Sequence, residues 1–428
     1  MSIAATFAKH DEARNSGTEW LGHIPEGWEI KKMKFLFRDH SRKGMPDAEL
    51  LSVTQNQGVV PRTWVENRMV MPSGNLESFK FIEEGDFAIS LRSFEGGLEY
   101  CHHDGIISPA YTVLKRRNDD LLPAYYRYLF KSAAFISELQ TSVVGIREGK
   151  NISFEDLSYS LMPIPSPEEQ CAIAAFLDGK SAGIDEAVRI KEAQIKLLAE
   201  RRQILIQQAV TRGLNPDAPM KDSGIDWIGQ IPAHWDMKRN FVLFHEIKAP
   251  GNAGLPVLSV SIHSGVSEGE LSDEENIRSI IKIADRSSYK EVLPGDIAYN
   301  MMRAWQGGIG AVRTHGMVSP AYVVARPVSF LAGDYFELLY RTPALIWQMD
   351  ANSKGITDFR KRLYWDDFRD LLTIVPPKSE QEQIIQYAAE ISEKIDNAVS
   401  IKKDQIAALK EYKTSLINAA VTGKIKVI

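Results

Sequence analysis

The chain carries its own copy, and this constrains the fold more than any other feature. Residues 16–29 (SGTEWLGHIPEGWE) return as 223–236 (SGIDWIGQIPAHWD), with seven of fourteen positions identical. Residues 184–211 (IDEAVRIKEAQIKLLAERRQILIQQAVT) return as 395–422, with fifteen of twenty-eight identical. Between these blocks EEGDFAI near 83 matches LPGDIAY near 293, and SPAYTVL at 108–114 matches SPAYVVA at 319–325. Short tandem repeats have periods of roughly 20–50 residues, so an offset near 210 means two domain-sized units. A length of 428 residues agrees, since single cores stop growing near ~250–300 residues.

Each unit opens on W-x-G-x-I-P-x-x-W, runs through a mixed α and β stretch, and exits at prolines, MPIPSP at 162–167 and VPP at 375–377. A long helix follows each exit. In the first, Ile184, Val188, Lys191, Ile195, Leu198, Arg202, Leu205 and Ala209 are spaced 4-3-4-3-4-3-4. Ile395, Val399, Lys402, Ile406, Leu409, Lys413, Leu416 and Ala420 repeat that spacing. This is a heptad seam, with a basic residue at the same two places in each copy. About thirty residues of helix span ~45 Å, too long a seam to leave wet. The simplest partner for each helix is the other, antiparallel; the alternative is that each lies on its own domain. The expected fold class is therefore α+β, with two tandem mixed α/β domains, each followed by a long helix, in a pseudo-two-fold repeat. The expected boundaries are 1–165 and 214–376 for the domains, 166–213 and 377–428 for the helices.

The chemical signals point to binding rather than catalysis. SPAY, at Ser108–Tyr111 and Ser319–Tyr322, is similar to the tetrapeptide of amino-methyltransferases. It lacks the second proline and the glycine-rich turn that would seat S-adenosylmethionine, and reads as a structural turn. Cys101, His102 and His103 align with Val312, Arg313 and Thr314 in the other copy, and neighbours on a strand face opposite ways, so no metal site is expected. Two cysteines make neither a disulfide framework nor a cysteine zinc cage. No apolar run approaches the ~18–20 residues that cross a bilayer, and the first twenty residues lack a signal-peptide core, which fits a cytoplasmic protein.

The net charge of -5 means that any surface for nucleic acid must be local or shared with partners. Candidate contacts come in matched places. Arg92 and Arg303 each follow a buried strand and precede an aromatic residue and a glycine pair. Arg147 and Lys150 in one copy, and Lys354, Arg360, Lys361 and Arg362 in the other, lie on loop-like segments before the exits. Such cations suit phosphate contacts, and arginine suits guanine in the major groove.

These motifs resemble, over essentially the whole length and twice, those of the specificity subunits of Type I restriction–modification systems. The carriers are S-G-x-[ED]-W-[LI]-G-x-I-P-x-x-W at 16–28 and 223–235, and an acidic-Gln step before each helix (Pro167–Gln170, Ser379–Gln381). I-D-x-A…Q-I…L…A-V-T within the helix completes the set. Pro167-Glu168-Glu169-Gln170 departs from the family's usual S/T-E-Q. The resemblance implies two target recognition domains, each reading one half of a split asymmetric site on double-stranded DNA. It also implies an antiparallel coiled coil as ruler, seamed by Ile184, Val188, Ile195, Leu198, Leu205, Ile395, Val399, Ile406, Leu409 and Leu416. Partners would be two DNA methyltransferase (modification) subunits and restriction/motor subunits. These would bring S-adenosylmethionine, ATP and Mg, with no catalytic residue or cofactor in this chain. Two other readings are a methyltransferase acting through SPAY and a structural adaptor that never touches DNA.

Overall fold

The computed structural model describes residues 7–65, 76–144, 151–226, 228–252, 254–268, 288–328, 331–355 and 361–428. It divides into two compact units that do not follow the linear order of the chain. Unit 1 is residues 1–192 with 403–428, and unit 2 is residues 193–402.

In unit 1 the main sheet is fully antiparallel, in the order Phe37–Asp39, Thr112–Arg116, Phe87–Ile89, Glu99–Tyr100. The Gly-Asp turn at 85–86 lies before the Phe87–Ile89 strand, and Gly85 takes φ 90°, a conformation open to glycine. Two antiparallel pairs flank the sheet, the hairpin Leu51–Thr54 with Gly58–Pro61, and Lys80–Ile82 with Gly105–Ile107. Helices Pro123–Leu129 and Ala133–Thr141 cover it, and Ser132 between them caps the second by accepting from the Phe135 amide. The aromatic core of Phe37, Phe87, Tyr126, Phe130 and Phe135 joins Leu416, Ala420 and Val421 of the second long helix (Lys378–Val421).

Unit 2 builds the same plan from the other copy. Its sheet runs Phe244–Ile247, Tyr322–Pro327, Ile297–Asn300, Ile309–Ala311. A second sheet of four strands contains the hairpin Val257–Ser261 with Gly265–Glu268 and one parallel pairing, Val257–Ser261 with Gly316–Val318. The helical cover breaks at the same place, into Gly333–Tyr340 and Pro343–Ala351, with Pro343 in the first turn where its missing N–H costs nothing. Since unit 1 breaks there without a proline, packing sets the break and Pro343 merely fits it. The core of unit 2 takes in Ala209 and Val210 from the end of the first long helix (Pro167–Arg212).

Each domain is therefore closed by the tail of the other copy's helix. In unit 1 the Tyr125 hydroxyl donates to the Val421 carbonyl at 2.8 Å; in unit 2 Tyr335 donates to the Val210 carbonyl at 3.0 Å. Within unit 1, Lys413 meets Asp185 and Lys191 meets Gln405, at 2.6 and 2.8 Å, so the two helix segments run antiparallel. Within unit 2, Arg202 meets Asp396 at 2.8 Å, the counterpart of the Lys413–Asp185 pair. All ten residues of the heptad reading lie at least partly out of solvent; Ile184, Val188, Ile395 and Leu416 are buried and the other six half-buried.

Candidate nucleic-acid interface

The motifs that repeat most closely do structural work. Trp28 and Trp235, which close the opening motif of each copy, are buried, and their indole N–H groups donate to Glu169 at 2.8 Å and to Glu380 at 2.9 Å. The next residues, Gln170 and Gln381, are fully buried at the helix starts. Gln170 accepts from the Leu122 amide and donates to the Asp120 and Pro165 carbonyls. Gln381 accepts from Ala332 and donates to Pro376. Buried polar groups need partners, and this Glu-Gln step supplies them, tying domain to helix. Glu169-Gln170 thus stands where Glu380-Gln381 does, and the extra Glu168 takes the serine's place. SPAY is a turn in both copies, with Tyr111 N–H donating to the Ser108 carbonyl and Tyr322 to Ser319. Cys101 is buried, bonded to the His103 carbonyl, and burial pushes its thiol up to about 12, which leaves it unreactive at neutral pH.

One place where the copies carry different residues is a hairpin tip in each unit. In unit 1 the hairpin tip Gln55-Asn56-Gln57 faces the turn Ser90-Leu91-Arg92, with Trp64 and Tyr111 beside them, around an open groove of about 770 Å³. Among the described residues no carboxylate lines it. Arg92 is exposed and stands at the start of the short helix Ser93–Gly96. In unit 2 the corresponding tip is Ile262-His263-Ser264, and the turn is Met301-Met302-Arg303. Arg303 is exposed and its guanidinium holds Gln306 at 2.7 Å.

Beneath each tip lies a cation on the junction between the covering helices. Lys131 donates to the Gln55 carbonyl at 3.1 Å and the Gly96 carbonyl at 2.9 Å; Arg341 donates to the Ile262 carbonyl at 3.0 Å and also to His263. The counter-charges differ. Lys131 is held by Glu99, 2.6 Å away and wholly buried on the neighbouring strand. Arg341 pairs with Glu337 on its own helix, which Arg313 also reaches, at 2.9 Å.

The remaining expected contacts are less available. Lys354 pairs with Asp367 and Lys361 with Asp350, each at 2.7 Å, and Lys361 also lies over the Trp305 ring. Arg362 is exposed, bridged through its backbone to Lys354. Lys354 is itself exposed, but its partner Asp367 is mostly buried, so giving the lysine up to a phosphate would leave that carboxylate without its cation. Arg147, Lys150 and Arg360 lie outside the described residues. The hairpin tips carry no repeated motif, because their residue types differ between the copies. Three consecutive amides before a glycine, QNQG, was the available signal.

The fold and these tips define a duplicated protein with two differently surfaced units on one scaffold, and comparison with known proteins says which class has that form. The chain is 22% identical over 425 residues to the Type I restriction enzyme EcoBI specificity subunit of Escherichia coli, covering 93% of this chain and 85% of that one. It is 21% identical to the MjaVIII specificity subunit of Methanocaldococcus jannaschii, over 81% of this chain and 80% of that one. Among solved structures, the HsdS subunit from Thermoanaerobacter tengcongensis matches with a TM-score of 0.53 at 16% identity, covering 94% of this chain and 98% of that one. A chain from a study of complex assembly and conformational transition of the type I R-M system matches with a TM-score of 0.63 at 16% identity, over 93% and 98%. No family model matches. In sequence and in fold, the chain is a relative of Type I restriction–modification specificity subunits.

Proposed function

We propose that this chain is the sequence-specific DNA recognition subunit of a Type I restriction–modification complex. Unit 1 and unit 2 each read one half of a bipartite, asymmetric site. One observation carries the reading: the Trp–Glu contact is made in both copies and a cation grips the first carbonyl of each hairpin tip, while the tips themselves carry different residues. A duplicated scaffold with diverged tips suits a protein that reads two different short sequences. The long helices pair as an antiparallel coiled coil that sets the spacer, and they dock two modification subunits. Those subunits hold S-adenosylmethionine and methylate adenine, and restriction/motor subunits use ATP and Mg. This chain has no catalytic role of its own and works in the cytoplasm, where the DNA is. In support, no helix among the described residues is long and apolar enough to cross a membrane. The net charge of -5 also fits a subunit whose partners share the phosphate contacts.

The test is an exchange. Replacing residues 30–160 by the matching segment of another specificity subunit should change one half of the methylated motif in host genomic DNA and keep the other half. An unchanged motif would show that the chain is an adaptor.

A further inference from the structure

We infer that the hairpin tip of unit 1 enters the DNA major groove and reads an adenine through Asn56, next to a guanine read by Arg92. The inference rests on the reading of the chain as a DNA recognition subunit, and adds which element reads and which bases it prefers. The geometry of the tip comes first. Thr54 pairs with Gly58 across the hairpin, so residues 55–57 form a three-residue loop closed by a left-handed glycine, φ 74°. A Cβ at Gly58 would stand 2.5 Å from the Tyr100 carbonyl, so the loop is held against its own domain.

Anchoring is the second observation. The Thr54 hydroxyl accepts from the Gln57 amide at 3.1 Å, and Lys131 grips the Gln55 carbonyl from below. The backbone is therefore fixed while the side chains of Asn56 and Gln57 stay exposed, with no partner among the described residues. Unit 2 pins its tip through Arg341 at the matching carbonyl, although none of the three tip residues is shared. A retained anchor under a changed tip is what a reading element requires, because a fixed backbone lowers the ordering cost on binding.

Chemistry then selects the ligand. The major groove is ~12 Å wide and admits a two-stranded β-ribbon, and the carboxamide of Asn or Gln makes a bidentate pair with adenine N6 and N7. Arginine pairs likewise with guanine O6 and N7. Across the groove Arg92 is exposed, with no carboxylate among the described lining residues, and Trp64 offers an exposed apolar wall, in a T-shaped contact with His103.

The experiment offers randomised duplexes to the full chain, recovered from its own host with its bound partners. Wild type should enrich a bipartite motif with adenine and guanine adjacent in one half. Asn56→Asp should switch that adenine to cytosine, whose N4 amino group donates to a carboxylate. Arg92→Ala should lower the preference for guanine roughly tenfold or more. The other half-site should be unchanged in both variants. A switch of base cannot come from misfolding. If wild type enriches a bipartite motif but Asn56→Asp leaves it unchanged, or weakens all duplexes equally, this inference fails while the functional reading stands. If wild type enriches no sequence, both fail.

Discussion

The two units solve the same anchoring problem with different charges, and the difference separates what duplication preserved from what it released. In unit 1 the cation under the hairpin, Lys131, is balanced by a glutamate with no exposed surface, and burial raises the pKa of Glu99 against the pull of Lys131. In unit 2 the position of Glu99 is taken by Gly310, and Arg341 draws instead on Glu337, shared with Arg313. A second pair diverges in the same way. Asp296 in the Gly-Asp turn of unit 2 accepts from Nε and Nη2 of Arg326, at 2.7 and 2.8 Å. Its counterpart Asp86 has no such partner, because Lys115 stands in place of Arg326 and pairs with Glu83. All four carboxylates are buried; unit 1 pairs Glu99 with a lysine and leaves Asp86 without a cation in ion-pair range among the described residues, whereas unit 2 pairs both Asp296 and Glu337 with arginines. The common requirement is a fixed turn and a fixed hairpin, and the charge that fixes them is free to drift.

The comparison is most exposed at Lys131. Lys131→Met leaves Glu99 buried without a counter-charge, and should destabilise unit 1 by about 3–5 kcal/mol. Arg341→Met leaves Glu337 with Arg313 and should cost about 1–2 kcal/mol. Thermal or urea unfolding of the two variants reads the ratio; equal losses would show that the two anchors are equivalent after all. Adding Glu99→Gln to Lys131→Met should recover part of the loss.

A smaller effect concerns pH. Burial pushes the Asp86 carboxyl up to about 7 from its ordinary value of 3.8, with Arg116 opposing. The folded state therefore holds a proton that the unfolded state has already lost. Asp86 contributes stability at low pH that is lost as pH rises from about 4 through 7, with a slope of at most ~1.4 kcal/mol per pH unit. Asp86→Asn should flatten the dependence in that window, and Lys115→Arg, which installs the guanidinium of unit 2, should reduce it. Unfolding at pH 5, 6 and 7 decides; an undiminished slope in Asp86→Asn would assign it to another group.

The least effect is expected where the copies agree. Lys413 with Asp185 and Arg202 with Asp396 are the same exposed pair made twice, so Lys413→Ala and Arg202→Ala should each cost under about 1 kcal/mol and by equal amounts. A large or unequal loss would mean that these pairs hold the helices together, in place of the seam of Ile184, Val188, Ile395 and Leu416.

These contrasts show which features were legible beforehand. The SPAY turns were visible at their serine and proline, and the long helices in their heptad spacing, because both are local or periodic. The Trp–Glu contact joins residues 141 apart in one unit and 145 in the other, so each motif could be seen but not its partner. Matched position found the exposed Arg92 and Arg303 beside the tips, but it says nothing of which cations are paired. Lys354 and Lys361 proved to be paired with aspartates that sit 13 and 11 residues away in the chain.

By itself the amino-acid sequence determined that there are two units, where each opens and exits, and that two long helices carry a repeated apolar seam, since duplication and periodicity are properties of order along a chain. Only the tertiary structure decided that each domain is closed by the other copy's helix end, and that a lysine in one unit and an arginine in the other support the same hairpin. Those are contacts across tens to hundreds of residues, made between groups whose identity can change so long as their charge and reach are kept.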